Sequence, residues 1–513
     1  MREYLLGVDL GTSSLKTVLF TTDLEIVCSA SRSYPCLHPH EGWAEQGADS
    51  WWEATISTLK ELLDKAGLDP LHISAVGIDS QGSVALPVDR SGKALRPGLL
   101  WMDRRSEQQC KWIDSLQIKD LGKITANHND PANFGPKLLW FKEKEPEIYK
   151  STYKFLHANG YLVMKMTGKY TLDVSETGLT QLCDTREACW SDEILRAFGI
   201  DIAKLPDIHP CVDVVGQVTK EAARLTGLAE GIPVVAGLMD AASCGVGSGI
   251  YTPGHTYVTA GTVQGAGHCL GEPLFNPSLH VFNYVLPKTW ITMGAVDFSG
   301  GVLKWFNDLL GNEDYSEVEE LANSSQAGRK PLIFLPYMVG QRSPLWNSNT
   351  RGVIFGLDPS TDKQDLIRCF IEGCALGMRY IFELFEQSGT HITQVAMTGG
   401  STRIKMWNQI FADITGIKVD IPSNMDVAPL GAAITAAVGA GVYSGFDDVT
   451  DKLNIAARYE PQEATRGFYD KMYDVYRSLF ESVLKHYDTL AQIRKKYMYK
   501  EELNGSIDTE KAR

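Results

Sequence analysis

The chain has 513 residues, more than a single hydrophobic core usually supports, so we expect two domains. Hydrophobic residues make up 44% and charged residues 22%, as in an ordinary globular protein. The formal net charge of −14 argues against a nucleic-acid partner, because nucleic-acid binding depends on clustered lysine and arginine.

The cysteines and the N-terminus favour a cytoplasmic protein. The ten cysteines show no C-x-x-C pair and no zinc-type spacing, which indicates free thiols in a reducing compartment. The chain begins Met-Arg-Glu-Tyr and enters an apolar run directly, without the charged and then apolar pattern of a secretory signal.

The first predicted element is a hairpin in the stretch LLGVDLGTSSLKTVLF. Its two apolar runs are predicted strands, and the small residues between them leave backbone N–H groups uncovered. The hydroxyls of Thr12, Ser13 and Ser14 and the ammonium of Lys16 suit phosphate oxygens, whereas Asp9 suits the Mg²⁺ that accompanies a nucleotide. The alternative is a plain turn in which Asp9 only bonds the backbone two residues on.

Apolar runs such as ISAVGIDS and IPVVAGLMD then alternate with amphipathic helical patterns, which predicts an α/β fold with a mixed or parallel sheet. The stretch TYVTAGTVQGAGHCL repeats the outline of the opening hairpin. We therefore predict two similar domains that each present a hairpin to a shared cleft. Their predicted bounds are 1–243 and 244–490, followed by a polar tail at 491–513 that we expect to fray.

Asp240 is the lone charged residue between positions 231 and 271. Glycines and prolines divide this stretch into pieces too short to span a bilayer, so we predict buried strands and turns and no membrane partner. Partial burial would raise the basicity of Asp240, as a general base needs. The alternative is a structural role, in which Asp240 caps the helix that follows.

The later motif VAMTGGSTRIKMWNQIFADITG predicts a strand, the pair Gly399 and Gly400, and a helix. A glycine pair that opens a helix brings the backbone close to a flat or anionic ligand. The alternative is a tight connection between the strand and the helix.

In chain order these motifs resemble the FGGY family of carbohydrate kinases, within the actin, hexokinase and Hsp70 superfamily. The resemblance runs from Leu5 into the 440s. It rests on GVDLGTSSLK, EGWAEQGADSWW, LLWMDRRS, KLLWFKEKEP, GLMDAASCGVG, LPYMVGQRSPLWN, GVIFGLDPSTDKQDLIRCFIE, TGGSTRIKMWNQIFAD and APLGAAITAAVGAG. It implies two ribonuclease-H-like, actin-like ATPase domains with mixed sheets flanked by helices, and transfer of phosphate from MgATP to a sugar or polyol.

The resemblance also implies roles for individual residues. Asp240 would be the catalytic base, and Asp9 and Asp240 would lie on the metal side. Nucleotide would contact Asp9, Gly11, Thr12, Ser13, Lys16, Gly261, Thr262, Gly399, Gly400 and Ser401. Sugar hydroxyls would contact Gln81, Trp101, Asp103, Asp240 and either Arg104 or Arg105, with Trp43 nearby; for Trp101 and Trp43 core packing is the alternative.

The departures from the family pattern concern the donor site and the substrate. Val263 stands where a hydroxyl residue is usual in the second hairpin, Gln341 where Glu is common, and Cys369 where Ala or Ser is expected. The stretch DSQGSVAL lacks the Met-His pair of typical D-xylulose kinases and the Arg-Glu pair of glycerol kinases, so neither substrate is supported.

Two other functions stay open: a nucleotide hydrolase without a sugar substrate, and a non-catalytic sugar sensor on the same scaffold. The spacings of GVGSG and GAGHCLG do not match G-x-G-x-x-G, and no P-loop is present, which argues against a Rossmann dehydrogenase. We expect a homodimer, because closed two-fold pairs are the commonest assembly.

Overall fold

The structure is a computed structural model that describes residues 3–311, 316–324 and 329–505. The strands are β1 Tyr4–Leu10, β2 Ser14–Thr21, β3 Ile26–Ser33, β4 Glu45–Gln46, β5 Ile73–Ser80, β6 Leu86–Val88, β7 Gly98–Leu99, β8 Lys154–Leu156, β9 Thr171–Asp173, β10 Cys183–Asp184, β11 Cys189–Trp190, β12 Asp207–His209, β13 Val214–Gln217, β14 Pro233–Val235, β15 Leu238–Met239, β16 Thr256–Ala260, β17 Gln264–Leu270, β18 His280–Asn283, β19 Trp290–Val296, β20 Ile333–Leu335, β21 Val353–Phe355, β22 Gln394–Thr398, β23 Lys418–Pro422 and β24 Ile455–Tyr459.

The helices are α1 Ala48–Ala66, α2 Glu107–Ser115, α3 Leu121–Ile124, α4 Phe134–Lys144, α5 Pro146–Ser151, α6 Ala158–Thr167, α7 Asp192–Phe198, α8 Lys220–Thr226, α9 Asp240–Gly247, α10 Gly300–Leu310, α11 Ser316–Ser324, α12 Lys363–Glu386, α13 Lys405–Thr415, α14 Val427–Gly439, α15 Asp447–Thr450 and α16 Glu463–Gly505. Short 3₁₀ helices include Val174–Leu179 and Gly400–Arg403.

The chain folds into two compact units. The first comprises Met1–Tyr257, Gly267–Met293 and Pro422–Ala456, and the second Val258–Ala266, Gly294–Ile421 and Ala457–Arg513. These units differ from the predicted contiguous domains 1–243 and 244–490. Residues 422–456 join the first unit because α14 packs on β1, β5 and α9.

The first unit is built on a mixed sheet of order β13-β14-β5-β1-β2-β3, in which β15 also pairs with β5. Strands β1 and β2 run antiparallel, whereas β1 and β5 run parallel. All eight residues of β5 are buried, because helices cover both faces of the sheet at its centre. The predicted α/β fold with mixed sheets and two domains is confirmed.

The register of the central strands aligns three charged residues. Asp9 on β1 lies opposite Lys16 on β2 and beside Asp79 on β5. Side chains at paired positions of neighbouring strands emerge on the same face of a sheet. One face therefore carries the row Asp79, Asp9 and Lys16 at the carboxyl ends of the two parallel strands.

Helix α14 lies close against that same face because glycines leave room for it. A Cβ atom at any of four glycines would meet a backbone carbonyl oxygen at 2.0 Å or less, which no real Cβ tolerates. The glycine and carbonyl pairs are Gly7 with Pro429, Gly77 with Ala432, Gly247 with Val427, and Gly431 with Ser243. The backbones of β1, β5, α9 and α14 are consequently in direct contact.

A second seven-stranded sheet has the order β18-β19-β17-β16-β22-β23-β24. Within the second unit, β22 and β23 pair in parallel. Helix α12 begins with a complete capping box in which Asp362 and Asp365 bond each other's backbone N–H.

The last helix extends through the first part of the predicted tail, to Gly505. The remainder of that prediction, residues 506–513, lies outside the described residues. Within the described part of the chain, no helix is long and apolar enough to cross a membrane.

We expect Gly77→Ala to lower stability severely. The added methyl would lie 1.9 Å from the carbonyl oxygen of Ala432, and overpacking of this kind costs roughly 3 kcal/mol even where atoms can shift. The control is Gly445→Ala, whose Cβ would meet nothing within 4 Å. Thermal unfolding followed by circular dichroism compares them. A Gly77→Ala melting temperature equal to that of the control would show that α14 is not held by this contact.

Candidate active site

The loop of the first hairpin is fixed by contacts to its backbone. The N–H of Gly11 bonds Ser14 O at 3.0 Å, and the hydroxyl of Tyr34 donates to Gly11 O at 2.5 Å. The indole N–H of Trp101 donates to Thr12 Oγ1 at 3.1 Å. Three hydrogen bonds therefore hold the loop in its conformation.

Asp9 and Asp79 form a hydrogen-bonded pair of carboxyls beneath this loop. Burial raises the pKa of Asp9 to about 6; the hydrogen bond to Asp79 and the charge of Lys16 act against this rise, and the charge of Asp426 adds to it. Burial raises the pKa of Asp79 well above its usual range, and the carboxylates of Asp9 and Asp240 raise it further. Asp79 is therefore the member of the pair whose protonated form is favoured more strongly.

Asp79 is a functional residue that the motif analysis missed. It stands in DSQGSVAL, directly after a predicted strand, just as Asp9 follows the apolar run of β1. The sequence signal that could have identified Asp79 was a second apolar run with an aspartate near its end, similar to the run that contains Asp9. Ser243 of α9 shares its hydroxyl between Ala428 O at 2.7 Å and Asp79 Oδ2 at 3.3 Å, which links the carboxyl pair to α9 and α14.

A second missed residue, Gln46, orients the predicted sugar residue Gln81. The indole of Trp51 can only donate, and it donates to Gln46 Oε1 at 3.0 Å. Gln46 Oε1 also accepts from Gln81 Nε2 at 2.9 Å, and Gln46 Nε2 donates to Thr12 O at 2.5 Å. The amide of Gln81 is thus oriented by its partners. Its buried Oε1 is left without a donor among the described residues.

Two buried ionisable side chains, Glu176 and Lys137, bond the backbone of the turn after Gln81. Ser83 has a positive φ of 56°, an uncommon conformation for serine. Its N–H bonds Glu176 Oε2 at 3.1 Å, and its carbonyl accepts from Lys137 Nζ at 2.6 Å. His157 Nδ1 lies 2.9 Å from the same Glu176 oxygen. Burial lowers the pKa of Lys137 to about 7, which means that its charged form is costly to bury. The hydrogen bonds from Lys137 and to Glu176 hold the backbone of this turn in place.

The predicted sugar residues Asp103 and Arg104 have other partners. Asp103 is fully buried, and its two carboxylate oxygens accept from the Arg105 guanidinium at 2.7–3.0 Å and from the N–H of Ala44 at 2.7 Å. Arg104 is exposed and pairs with Asp130 at 2.8 Å. Their contact with sugar stays a prediction, whereas the bonds present make Asp103 and Arg105 a structural pair.

Trp43 lies against that pair. The Arg105 guanidinium carbon is 3.6 Å from the centre of the Trp43 ring, and Trp140 packs edge-on against Trp43 at 5.7 Å. These contacts match the core-packing alternative for Trp43. Trp101 is also partly buried and bonds Thr12 of the first hairpin, and its contact with sugar stays a prediction.

Asp240 is the first residue of α9, and its Oδ1 accepts the N–H of Ala241 at 2.6 Å. Strand β15 pairs in parallel with β5, with Met239 opposite Ser80. The next residues along the two strands are Asp240 and Gln81. Asp240, the candidate base, and Gln81 therefore occupy equivalent positions, each directly after one of two neighbouring parallel strands.

The other predicted nucleotide residues are grouped within the second unit. Ser299 N–H bonds Thr262 O at 2.8 Å, and Gly300 N–H bonds Gly261 O at 2.9 Å, which joins the second hairpin to the start of α10. Gly399 has φ 103°, and a Cβ there would lie 2.6 Å from Ala260 O. The structure thus brings together the residues Gly261, Thr262, Gly399, Gly400 and Ser401.

Known proteins match this chain along almost its whole length. The description "FGGY family of carbohydrate kinases, N-terminal domain" matches residues 4–247, and the corresponding C-terminal domain matches residues 256–440. The chain belongs to the FGGY family of carbohydrate kinases and is a sugar kinase.

The relatives of this chain are named after two different substrates, xylulose and gluconate. A xylulose kinase of Escherichia coli is 30% identical, over 93% of this chain and 99% of that protein. A gluconokinase of Bacillus subtilis is 28% identical, over 96% of this chain and 99% of that protein. The crystal structure of a xylulose kinase from Rhodospirillum rubrum superposes with a TM-score of 0.86 at 26% identity, over 94% of this chain and 100% of that chain.

Asp79→Asn and Asp103→Asn should differ in the size of their effect on stability although both side chains are fully buried. The raised pKa of Asp79 favours its neutral form, which an amide replaces closely, so we expect a change within about 1 kcal/mol. Asp103→Asn weakens the bonds to a buried guanidinium and should cost roughly 3 kcal/mol. Urea unfolding measures both variants. Equal losses would show that the two carboxyls do not differ in charge state.

Proposed function

We propose that the protein transfers the γ-phosphoryl group of MgATP to a hydroxyl of a small ketose or polyol, with Asp240 as general base. The observation that supports this most directly is the common level of Asp240 and Gln81 on paired parallel strands. One residue is suited to accept a proton from a hydroxyl, and the other offers an oriented carbonyl to a second hydroxyl.

Phosphoryl transfer asks the protein mainly for alignment and charge neutralisation. In the proposed reaction, Asp240 takes the proton of the attacking hydroxyl. The bond of its Oδ1 to Ala241 N–H helps to hold the carboxylate in place. Burial raises the pKa of Asp79 and so favours its protonated form, which does not compete for that proton.

We propose that residues of the two hairpins bind the nucleotide. Thr12, Ser13 and Lys16 would hold β- and γ-phosphate oxygens, as would Gly261 and Thr262. Gly399, Gly400 and Ser401 would line the adenosine site.

The residues present also fit a magnesium ion. Burial raises the pKa of Asp9 to about 6 and the carboxylate of Asp426 adds to that rise, so a cation beside Asp9 would stabilise its charged form. Asp9 and Asp240 would hold the ion, which when bound would neutralise phosphate charge. Among the described residues no three His, Cys, Asp or Glu side chains form a metal cage, as expected for an ion that binds mostly through phosphates and water.

We propose that a substrate hydroxyl donates to Gln81 Oε1, which lacks a donor among the described residues. Ketoses, polyols and gluconate all carry such hydroxyls, so turnover has to decide among them. A coupled ADP-release assay with xylulose, other ketopentoses, polyols and gluconate tests this. Turnover without any carbohydrate would indicate a nucleotide hydrolase, and sugar binding without ADP release would indicate a sensor. A homodimer also stays a prediction, which sedimentation velocity would test.

Gln81→Leu should weaken sugar binding alone. The variant loses one hydrogen bond to a neutral hydroxyl, worth about 1 kcal/mol, so KM for the sugar should rise roughly fivefold to tenfold. KM for MgATP should stay within about twofold, since Gln81 is proposed to touch only the sugar. An increase in both KM values would mean that the variant disturbs the hairpin through Gln46.

Asp240→Asn should lower kcat by about 10² to 10⁴, because asparagine keeps the shape and the bond to Ala241 but accepts no proton. ATP and sugar affinities should change little in calorimetric titrations.

The control is Asp192→Asn, which removes an exposed aspartate from the first turn of another helix, α7. Its kcat should equal that of the parent. If Asp240→Asn phosphorylates its sugar within about threefold of this control, far less than loss of a base predicts, the proposed mechanism is wrong.

A further inference from the structure

Lys16, which the proposed function assigns to phosphate, already has an anionic partner. Its ammonium forms an ion pair with Asp426 Oδ1, and the two side chains are 34% and 28% exposed. Lys16 also lies opposite Asp9 in the register of β1 and β2. One lysine therefore stands between two carboxylates, and Asp426 was not among the predicted site residues.

Asp426 precedes α14, at a position where aspartate normally caps the helix. A capping side chain accepts the N–H of the second or third helical residue, but the Asp426 side chain makes no such bond. Its own N–H bonds Asn424 Oδ1 at 2.9 Å. The carboxylate is turned away from the helix N–H groups and towards Lys16, so its position is not explained by capping.

The backbone of Asp426 is held in place by the packing of its helix. The next residue, Val427, has its carbonyl oxygen at the Gly247 contact, and the Pro429 carbonyl lies at the Gly7 contact. A shift of α14 away from Lys16 would break these contacts. The pair therefore separates by rotation of the two side chains and not by movement of the helix. The rotated carboxylate of Asp426 would meet the N–H of Ala428, because Pro429 at the third helical position has none.

We propose that Asp426 is the counter-ion of Lys16 in the nucleotide-free enzyme and gives way to phosphate when nucleotide binds. This rests on the proposed contact of Lys16 with phosphate. The exchange replaces one ion pair by another, and it leaves a carboxylate near the bound phosphates. Asp426 thereby weakens nucleotide binding and speeds the loss of ADP after each turnover.

The test is calorimetric titration of MgADP into the parent, Asp426→Asn, Lys16→Met and the double variant. Asparagine caps helices as well as aspartate does, so Asp426→Asn should fold. It removes a competing ion pair and a repulsive charge, and MgADP should bind about threefold to tenfold more tightly. Lys16→Met should bind more weakly than the parent. The gain from Asp426→Asn should vanish when Lys16 is also replaced.

Asp23→Asn is the matched control, since Asp23 pairs with Lys452 on the same unit and the substitution changes the net charge equally. It should leave MgADP affinity unchanged. If Lys16→Met binds MgADP as the parent does, the assigned phosphate contact of Lys16 is wrong, and the counter-ion proposal falls with it.

If Lys16→Met weakens binding but Asp426→Asn gives no gain, only the role of Asp426 is overturned. An equal gain in the presence and absence of Lys16 also overturns it, because the effect would then not pass through the ion pair.

Discussion

The contact of helix α14 with strands β1 and β5 is the constraint on which the site depends. Four glycines let backbone carbonyls approach where a Cβ would otherwise stand. The same two strands end in Asp9 and Asp79, and α9 begins with Asp240. Since β1, β5, α9 and α14 touch through their backbones, the carboxyls at their ends are held at fixed positions without long side-chain networks.

Such an arrangement concentrates negative charge. Burial raises the pKa of Asp9 and that of Asp79; the charge of Asp426 adds to the rise for Asp9, and the charge of Asp240 adds to the rise for Asp79. The cost of so many carboxylates is lower where one is protonated, which the raised pKa of Asp79 favours, and where Lys16 pairs with Asp426. A site that is short of positive charge when empty is suited to a donor that brings a divalent cation with it.

The residues around Gln81 are held in place by partners from distant parts of the chain. Trp51 and Gln46 orient the amide of Gln81, and Gln46 also bonds the first hairpin. The turn at Ser83 is held by Glu176 and Lys137, which neither motif nor composition singled out. If Gln81 binds sugar as proposed, residues of this kind set the position of the bound hydroxyl without contacting it.

Local signals were enough for the fold class, the first hairpin and the placement of Asp240 at a helix start. They missed residues whose role comes from distant partners. Asp79 gains its raised pKa from pairing with β1, and Asp426 meets Lys16 only because α14 returns to the first unit. Sequence order does not report such pairings, because tertiary packing decides them.

The return of residues 422–456 to the first unit also bears on how the chain is made. During synthesis, β1 and β5 leave the ribosome long before α14, and domains generally fold as the N-terminal part emerges. The glycine face of their sheet then has no helix to cover it, and Asp9 and Asp79 are exposed to water. The nascent first unit therefore stays incomplete until nearly the whole chain is translated, and a prematurely terminated chain lacks the helix that closes its own active site.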